Sequence, residues 1–253
     1  MSDSILSFEN VCFSYGRQEI LKDVSSEIST ACITAVFGPN GSGKTTLLKI
    51  IAGLLRPVHG KICVNGKDIV NMSPGARGRL VSYVPQEHSL SFAYSVTEVV
   101  LMGRTPHLGG VIGPGKDEIE LTKQALEAVG ISDIADKPYT ELSGGQRHLV
   151  LIARALAQGS DVMILDEPTA ALDFKNQVIV WNKLKELRDF GKTILVCTHD
   201  PNNVTWFCDD VIVIKDGCVI QKGSAKLLVN DDMMNELYGS ICTVKNEIVL
   251  PII

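Results

Sequence analysis

The sequence predicts an α/β protein built on a phosphate-binding loop core, with an antiparallel β-subdomain at its N-terminus and an α-helical subdomain inserted in the middle. Three observations predict it. First, Gly38-Pro39-Asn40-Gly41-Ser42-Gly43-Lys44-Thr45, followed by Thr46, satisfies G-x-x-x-x-G-K-[ST]. It lies between an apolar, β-branched run (Ile33-Thr34-Ala35-Val36-Phe37) and a helical pattern carried by Leu47, Leu48, Ile50 and Ile51. Second, the apolar run Val162-Met163-Ile164-Leu165 delivers two adjacent acids, Asp166 and Glu167, at the carboxyl end of a strand, where open α/β sheets place their ligands. Third, between 87 and 142 the apolar spacing changes to the helical period.

Taken in order, 5–28 alternates as two antiparallel strands joined by a turn at Gly16-Arg17-Gln18-Glu19. Tyr15 ends the first of them, where an aromatic face can stack on a purine or simply pack across strands; position alone does not decide. In the glycine-rich loop after the next strand, backbone N–H groups and the start of the helix beyond favour phosphate oxygens. Lys44 offers charge to the β- and γ-phosphates, and Thr45 places a hydroxyl where Mg²⁺ needs an oxygen. Pro57-Val58-His59-Gly60 closes the first helix. Lys61 to Asp68 reads as a hairpin turning at Asn65-Gly66, Gly75 to Gly78 as loop, and Val81 to Val84 as a core strand ending in Pro85-Gln86.

In the insert, Val96 to Met102 and Asp117 to Val129 are helical around a loop containing Pro106, Gly109, Gly110, Gly113, Pro114 and Gly115. Leu142-Ser143-Gly144-Gly145-Gln146 then opens a helix through Ala157, with Ser143 as its cap. Past the acid pair, Leu172-Asp173 opens a helix to Phe190 whose Phe174, Val178, Trp181, Leu184 and Leu187 read as core. Thr193 to Cys197 is another buried strand, and it brings His199 to the same sheet edge as Asp166. Asp166 there can serve a cation through water, Glu167 can polarise an attacking water, and His199 can donate to a phosphate. Val211 to Ile214, an Asp216-Gly217 turn, Cys218 to Gln221, a short helix near 232–238 and a strand-like tail complete the chain.

Composition narrows the partners. At 253 residues the chain can bury a sizeable core as one domain with an insert. Net charge is −5 with acids and bases interspersed, so there is no basic stripe for nucleic acid. No run of 18 apolar residues occurs, and the first residues lack the pattern of a signal peptide, so a soluble chain is expected. The seven cysteines never form C-x-x-C and read as buried free thiols rather than metal ligands or disulfides.

The assembled motifs resemble the nucleotide-binding subunit of ATP-binding cassette (ABC) transporters across nearly the whole chain. The resemblance implies the ABC ATPase fold, a single domain over 1–253. About 1–86 and 143–253 would form the nucleotide core with the antiparallel β-subdomain, and about 87–142 the helical signature subdomain. It implies ATP and Mg²⁺ as ligands. Gly38 to Thr46 correspond to the phosphate loop and Gln86 in YVPQ to the Q-loop, which senses metal and water. Leu142 to Gln146 correspond to the signature, with Ser143, Gly144, Gly145 and Gln146 facing a partner-bound nucleotide. Asp166 is the Walker B metal carboxylate, Glu167 the catalytic base, Asp173 the D-loop, His199 the switch histidine and Tyr15 the adenine platform. Ala170 departs from the family, which often has Ser there. The implied assembly is a head-to-tail homodimer docked peripherally on two membrane permease subunits at the cytoplasmic face of the inner membrane, and through them on a substrate-binding protein.

The stretch from Ser91 to Gly109, with LMGRTPHLG, resembles the ATPases of metal-chelate importers for ferric siderophores, haem or cobalamin. Molybdate importers are close relatives, and a soluble cassette ATPase such as an iron–sulfur assembly subunit is the alternative. Phe92 and Tyr94 either form an apolar groove for the permease or pack the helical subdomain.

Overall fold

A computed structural model of the protein describes residues 4–86, 93–108 and 113–252. The chain begins with β1 (Ser4–Tyr15) and β2 (Gln18–Ser29), antiparallel partners longer than the alternating segments suggest because register shifts break the alternation. β3 (Ile33–Phe37) is buried along its whole length and feeds α1 (Lys44–Ile51) through the phosphate loop. β4 (His59–Val64) turns into β5 (Lys67–Asp68) at Asn65 and Gly66, whose φ values of 49° and 72° suit the tight turn that Asn-Gly favours. The segment expected as loop is instead α2 (Pro74–Gly78): Ser73 accepts a hydrogen bond from Ala76 N, and Pro74 occupies the first helical position. β6 (Val81–Val84) comes next.

α3 (Val96–Leu101) starts with a reciprocal cap, Ser95 N donating to Glu98 Oε2 at 2.7 Å and Glu98 N to Ser95 Oγ at 3.2 Å. It continues as a 3₁₀ turn, Met102–His107, which takes in Pro106 and so shortens the expected loop. α4 (Lys116–Val129) packs against α3 and against α5 (Gly144–Ala157). Tyr94 is half-buried against this cluster, and its carbonyl accepts a bond from Tyr139 N at 2.8 Å, which is the packing arrangement; Phe92 lies outside the described residues. Arg104 is buried, with Nη1 donating to Ala157 O at 2.7 Å at the C-terminus of α5.

β7 (Val162–Asp166) leads to α6 (Phe174–Asp189), which Asp173 caps through Asn176 N. Along α6, Trp181, Leu184 and Leu187 are core, but Phe174 is 73% exposed: as the first helical residue it projects beyond the buried stripe. β8 (Thr193–Cys197), α7 (Pro201–Phe207), β9 (Asp210–Lys215) and β10 (Cys218–Ser224) complete the main sheet. The short α8 (Ala225–Leu228) and α9 (Asp231–Tyr238) come after it, and then a hairpin of β11 (Cys242–Lys245) and β12 (Ile248–Pro251).

Two sheets carry the architecture. The antiparallel one has order β2-β1-β4-β5; the six-stranded one has order β10-β9-β3-β8-β7-β6, parallel from β9 to β6. Because side chains alternate along a strand, this second sheet feeds two cores. Ile33, Ala35, Phe37, Met163 and Leu165 join the larger one with α3 to α6, while Val36, Val162, Ile164 and Leu195 join α1 and the antiparallel sheet. All seven cysteines are free, but only Cys32, Cys197 and Cys208 are buried; Cys12, Cys63, Cys218 and Cys242 are half-buried, and Cys12 and Cys63 alternate with the buried Val11, Phe13, Ile62 and Val64 on the other face of their strands. Among the described residues no helix is long and apolar enough to cross a membrane.

Candidate active site

Parallel register brings the candidate residues together. β3, β6, β7 and β8 all run the same way, so the phosphate loop, Gln86, Glu167 and His199 leave the same edge of the sheet. There they line a cleft of about 460 Å³.

One wall is the loop itself. Asn40, Gly41, Gly43, Lys44, Thr45 and Thr46 line the cleft. Gly38 is required where it stands: at φ 154° a Cβ would lie 1.9 Å from Ile214 O of β9, so only glycine lets the loop pass this close to the sheet. The Lys44 side chain is buried, and its Nζ donates to Gly38 O and Pro39 O at 2.8 Å each, which sets a cation in the curl of the loop. Ser42 Oγ is buried and has no protein partner.

Asp166, 2% exposed, lies behind the lining, reached through Thr45. Its Oδ1 accepts from Thr45 Oγ1 at 3.0 Å and its Oδ2 from Tyr83 OH at 3.0 Å. Burial, reinforced by the Asp166 charge, holds the Tyr83 phenol far above its ordinary range, so it stays a donor. Cys197, opposite Asp166 in the β7–β8 register, is likewise pushed up by burial and by Asp166 and stays a thiol. Glu167 sits at φ 50°, a strained conformation for a side-chain-bearing residue; its N–H donates to Cys197 O at 3.1 Å, which turns the chain out of the strand. Its Oε2 lies 2.5 Å from His199 Nδ1, with Glu167 largely buried and His199 about half exposed.

Thr45, Asp166 and Gln86 are hard oxygen donors, the set Mg²⁺ prefers when triphosphate and water fill its remaining positions. Thr45 and Asp166 are already in hydrogen-bond contact, and among the described residues no cluster of His, Cys, Asp and Glu makes an all-protein cage. The residues present therefore fit a magnesium ion delivered with nucleotide.

Other candidates lie elsewhere. Ser143 caps α5 in a reciprocal box with Gln146, and Gly145 packs so closely on α6 that a Cβ would meet the Asn176 side chain at 2.6 Å. Neither these residues, nor Gly144, nor Asp173 line the cleft. Tyr15 is half exposed and stands edge-on to Phe13, with ring centroids 4.8 Å apart, also outside the lining. The sequence reading missed Ile20, an ordinary apolar residue of β2 that lines the cleft, and Tyr83; Ala170, singled out there only as a departure from the family, lines it too. A tyrosine three residues before Gln86 was the only signal for Tyr83, and nothing in its spacing pointed at Asp166.

The ABC transporter family model matches residues 21–170. The "probable iron chelatin transport ATP-binding protein" of Helicobacter pylori strain 26695 is 36% identical over 238 residues, 93% of each chain. Among solved structures, an inward-facing metal-chelate type ABC transporter superposes with TM-score 0.85 at 32% identity, over 99% of this chain and 98% of that one. The dimeric ATP-binding cassette MJ0796, bound to ADP and phosphate after hydrolysis, gives TM-score 0.74 at 28% identity over 87% and 98%. The chain belongs to the ABC transporter family, as one of its nucleotide-binding ATPases.

Proposed function

We propose that this chain is the ATP-hydrolysing subunit of a binding-protein-dependent importer for a metal chelate, such as an iron–siderophore, haem or cobalamin complex. The observation that carries the site assignment is the convergence of Lys44, Thr45–Asp166 and Glu167–His199 on one cleft at one sheet edge. The metal-chelate names of the relative and the structural neighbour favour this cargo over molybdate and over a soluble cassette role.

The residues divide the work. Loop N–H groups from Gly38 to Thr46, with Pro39, Asn40, Gly41, Ser42 and Gly43 between, hold the triphosphate, and Lys44 exchanges its loop carbonyls for β- and γ-phosphate oxygens. Thr45, Gln86 and Asp166 would hold Mg²⁺, which when bound would supply charge neutralisation to that triphosphate. Glu167 accepts the proton of the attacking water, and its bond to His199 Nδ1 leaves the other ring nitrogen, Nε2, for the γ-phosphate. Tyr15 offers a ring face to adenine.

Ser143, Gly144, Gly145, Gln146 and Asp173 stand off the cleft, so their contribution comes from a second copy, each signature closing the partner's site. The working unit is then a homodimer on two permease subunits, peripheral at the cytoplasmic face, with a substrate-binding protein beyond them. About 87–142 is the subdomain that faces the permease.

Light scattering tests the shared site. Glu167→Gln should be monomeric alone and dimeric with Mg-free ATP, and adding Ser143→Arg should abolish the dimer. A monomer under every condition would refute the trans role of the signature.

A further inference from the structure

We propose that Tyr83 is a positioning residue for the hydrolysis reaction: its hydroxyl fixes the Asp166 carboxylate so that one chosen oxygen faces the magnesium ion. The inference rests on the proposed metal site and extends it to a residue outside the cleft lining.

The geometry is a carboxylate gripped at both oxygens. Thr45 Oγ1 holds Oδ1 and Tyr83 OH holds Oδ2, each at 3.0 Å, in a site where Asp166 is 2% exposed and water has little access. The two grips differ in kind. Thr45 is itself a metal donor, and when its oxygen turns to a cation its bond to Asp166 is exchanged. Tyr83 is not among the residues that line the cleft. Its bond persists through that exchange, and beside the Cys197 thiol it is then an oxygen donor that still holds the carboxylate at Oδ2.

Without it the carboxylate can pivot about its last torsion and spread over orientations, only some of which present an oxygen to the ion. Outer partners of this sort hold ligands in place in metal sites generally. The phenol suits the task. Its hydroxyl reaches Asp166 Oδ2 at 3.0 Å. It is carried on β6, whose pairing with β7 runs Tyr83 opposite Ile164 and Val84 opposite Leu165, so the same backbone ladder that places Gln86 also sets the reach of the hydroxyl to Asp166.

A buried tyrosine that merely uses Asp166 to satisfy its own hydroxyl would have the same bond. A spectroscopic metal titration separates the two roles. Mn²⁺ is titrated into the protein–ADP complex and followed by loss of the free-ion electron paramagnetic resonance signal, for the wild type, Tyr83→Phe, Tyr83→Leu and Asp166→Asn. ADP affinity in EDTA and thermal midpoints are measured alongside. Tyr83→Phe keeps the ring packing. It should bind Mn²⁺ roughly tenfold more weakly, the scale expected for loss of an outer partner, with ADP affinity in EDTA and thermal midpoint close to wild type.

Tyr83→Leu should add a loss of stability to the same metal defect. Wild-type Mn²⁺ affinity in Tyr83→Phe overturns the proposal. So does a Tyr83→Phe chain that fails to fold, since the hydroxyl would then be structural. The Asp166→Asn arm tells the two levels apart. If it loses Mn²⁺ while Tyr83→Phe does not, only the positioning role fails; if it retains Mn²⁺, the metal site itself is misassigned.

Discussion

If Glu167 and His199 act as one unit, their losses will not multiply. Glu167→Gln removes the negative charge but keeps the shape and leaves His199 Nδ1 a neutral partner across the 2.5 Å contact. General-base loss is worth roughly 10²–10⁴ in kcat, or about 3–5 kcal/mol. His199→Ala removes the side-chain hydrogen bond that holds the Glu167 carboxylate. A hydrogen bond to a charged group is worth about 1.5–3 kcal/mol. Because the ring is half exposed, the lower end is the better figure, roughly a tenfold loss.

Independent action would make the double variant worse than Glu167→Gln by that further tenfold. Coupled action leaves it at the level of Glu167→Gln, a coupling energy of at least about 1.5 kcal/mol. The assay is single-turnover phosphate release at saturating ATP for the four members of the cycle. ATP affinity is measured separately, so that a binding defect is not read as chemistry. Losses that multiply to within about 0.5 kcal/mol would refute the coupling and leave His199 as a phosphate ligand acting on its own.

Two further outcomes arise from packing. Gly38→Ala should cost about 3 kcal/mol or more, since it combines backbone strain with a 1.9 Å approach to Ile214 O. Gly41→Ala, at φ 80° with nothing within 4 Å of a Cβ, should cost about 1–2 kcal/mol. Equal shifts of the urea midpoint, read from the fluorescence of buried Trp181, would contradict this contrast. For the thiols, peptide mapping after alkylation of the native protein at pH 8 should find label on Cys12, Cys63 and Cys218, less on Cys242, and none on Cys32, Cys197 or Cys208. Burial pushes the Cys32 thiol up to about 12 from its ordinary 9.0. The unfolded chain therefore releases that proton first, and the contribution of Cys32 to stability is lost as pH rises from 9 towards 12.

How much the sequence could disclose depended on how locally each feature is encoded. The phosphate loop is a run of eight adjacent residues whose strand-before, helix-after context is equally local, so its placement was readable in full. The strand-end acids and His199 were readable for a related reason: a short run of mainly apolar character, at 162–165 and again at 193–197, forms a buried parallel strand, and the residues at and just beyond its end must emerge at the sheet edge. Phe174 defeated the same logic, because helical spacing assigns a face but does not say where the buried stripe ends; the first turn of α6 lies beyond the core its later turns pack into. The 74–78 segment defeated it in the opposite sense, since two glycines masked a helix that Ser73 and Pro74 announce.

The part of the site that stayed hidden is the part made by register. Thr45 and Asp166 are 121 positions apart, and Tyr83 and Asp166 are 83 apart. That the tyrosine of β6 reaches the acid of β7 is fixed by the pairing of Tyr83 with Ile164 and Val84 with Leu165; a one-residue slip would turn the Tyr83 side chain to the opposite face of the sheet. The residues proposed to touch nucleotide are thus written in motifs. The contacts behind them, such as Tyr83 OH on Asp166 Oδ2, are written in the pairing of strands.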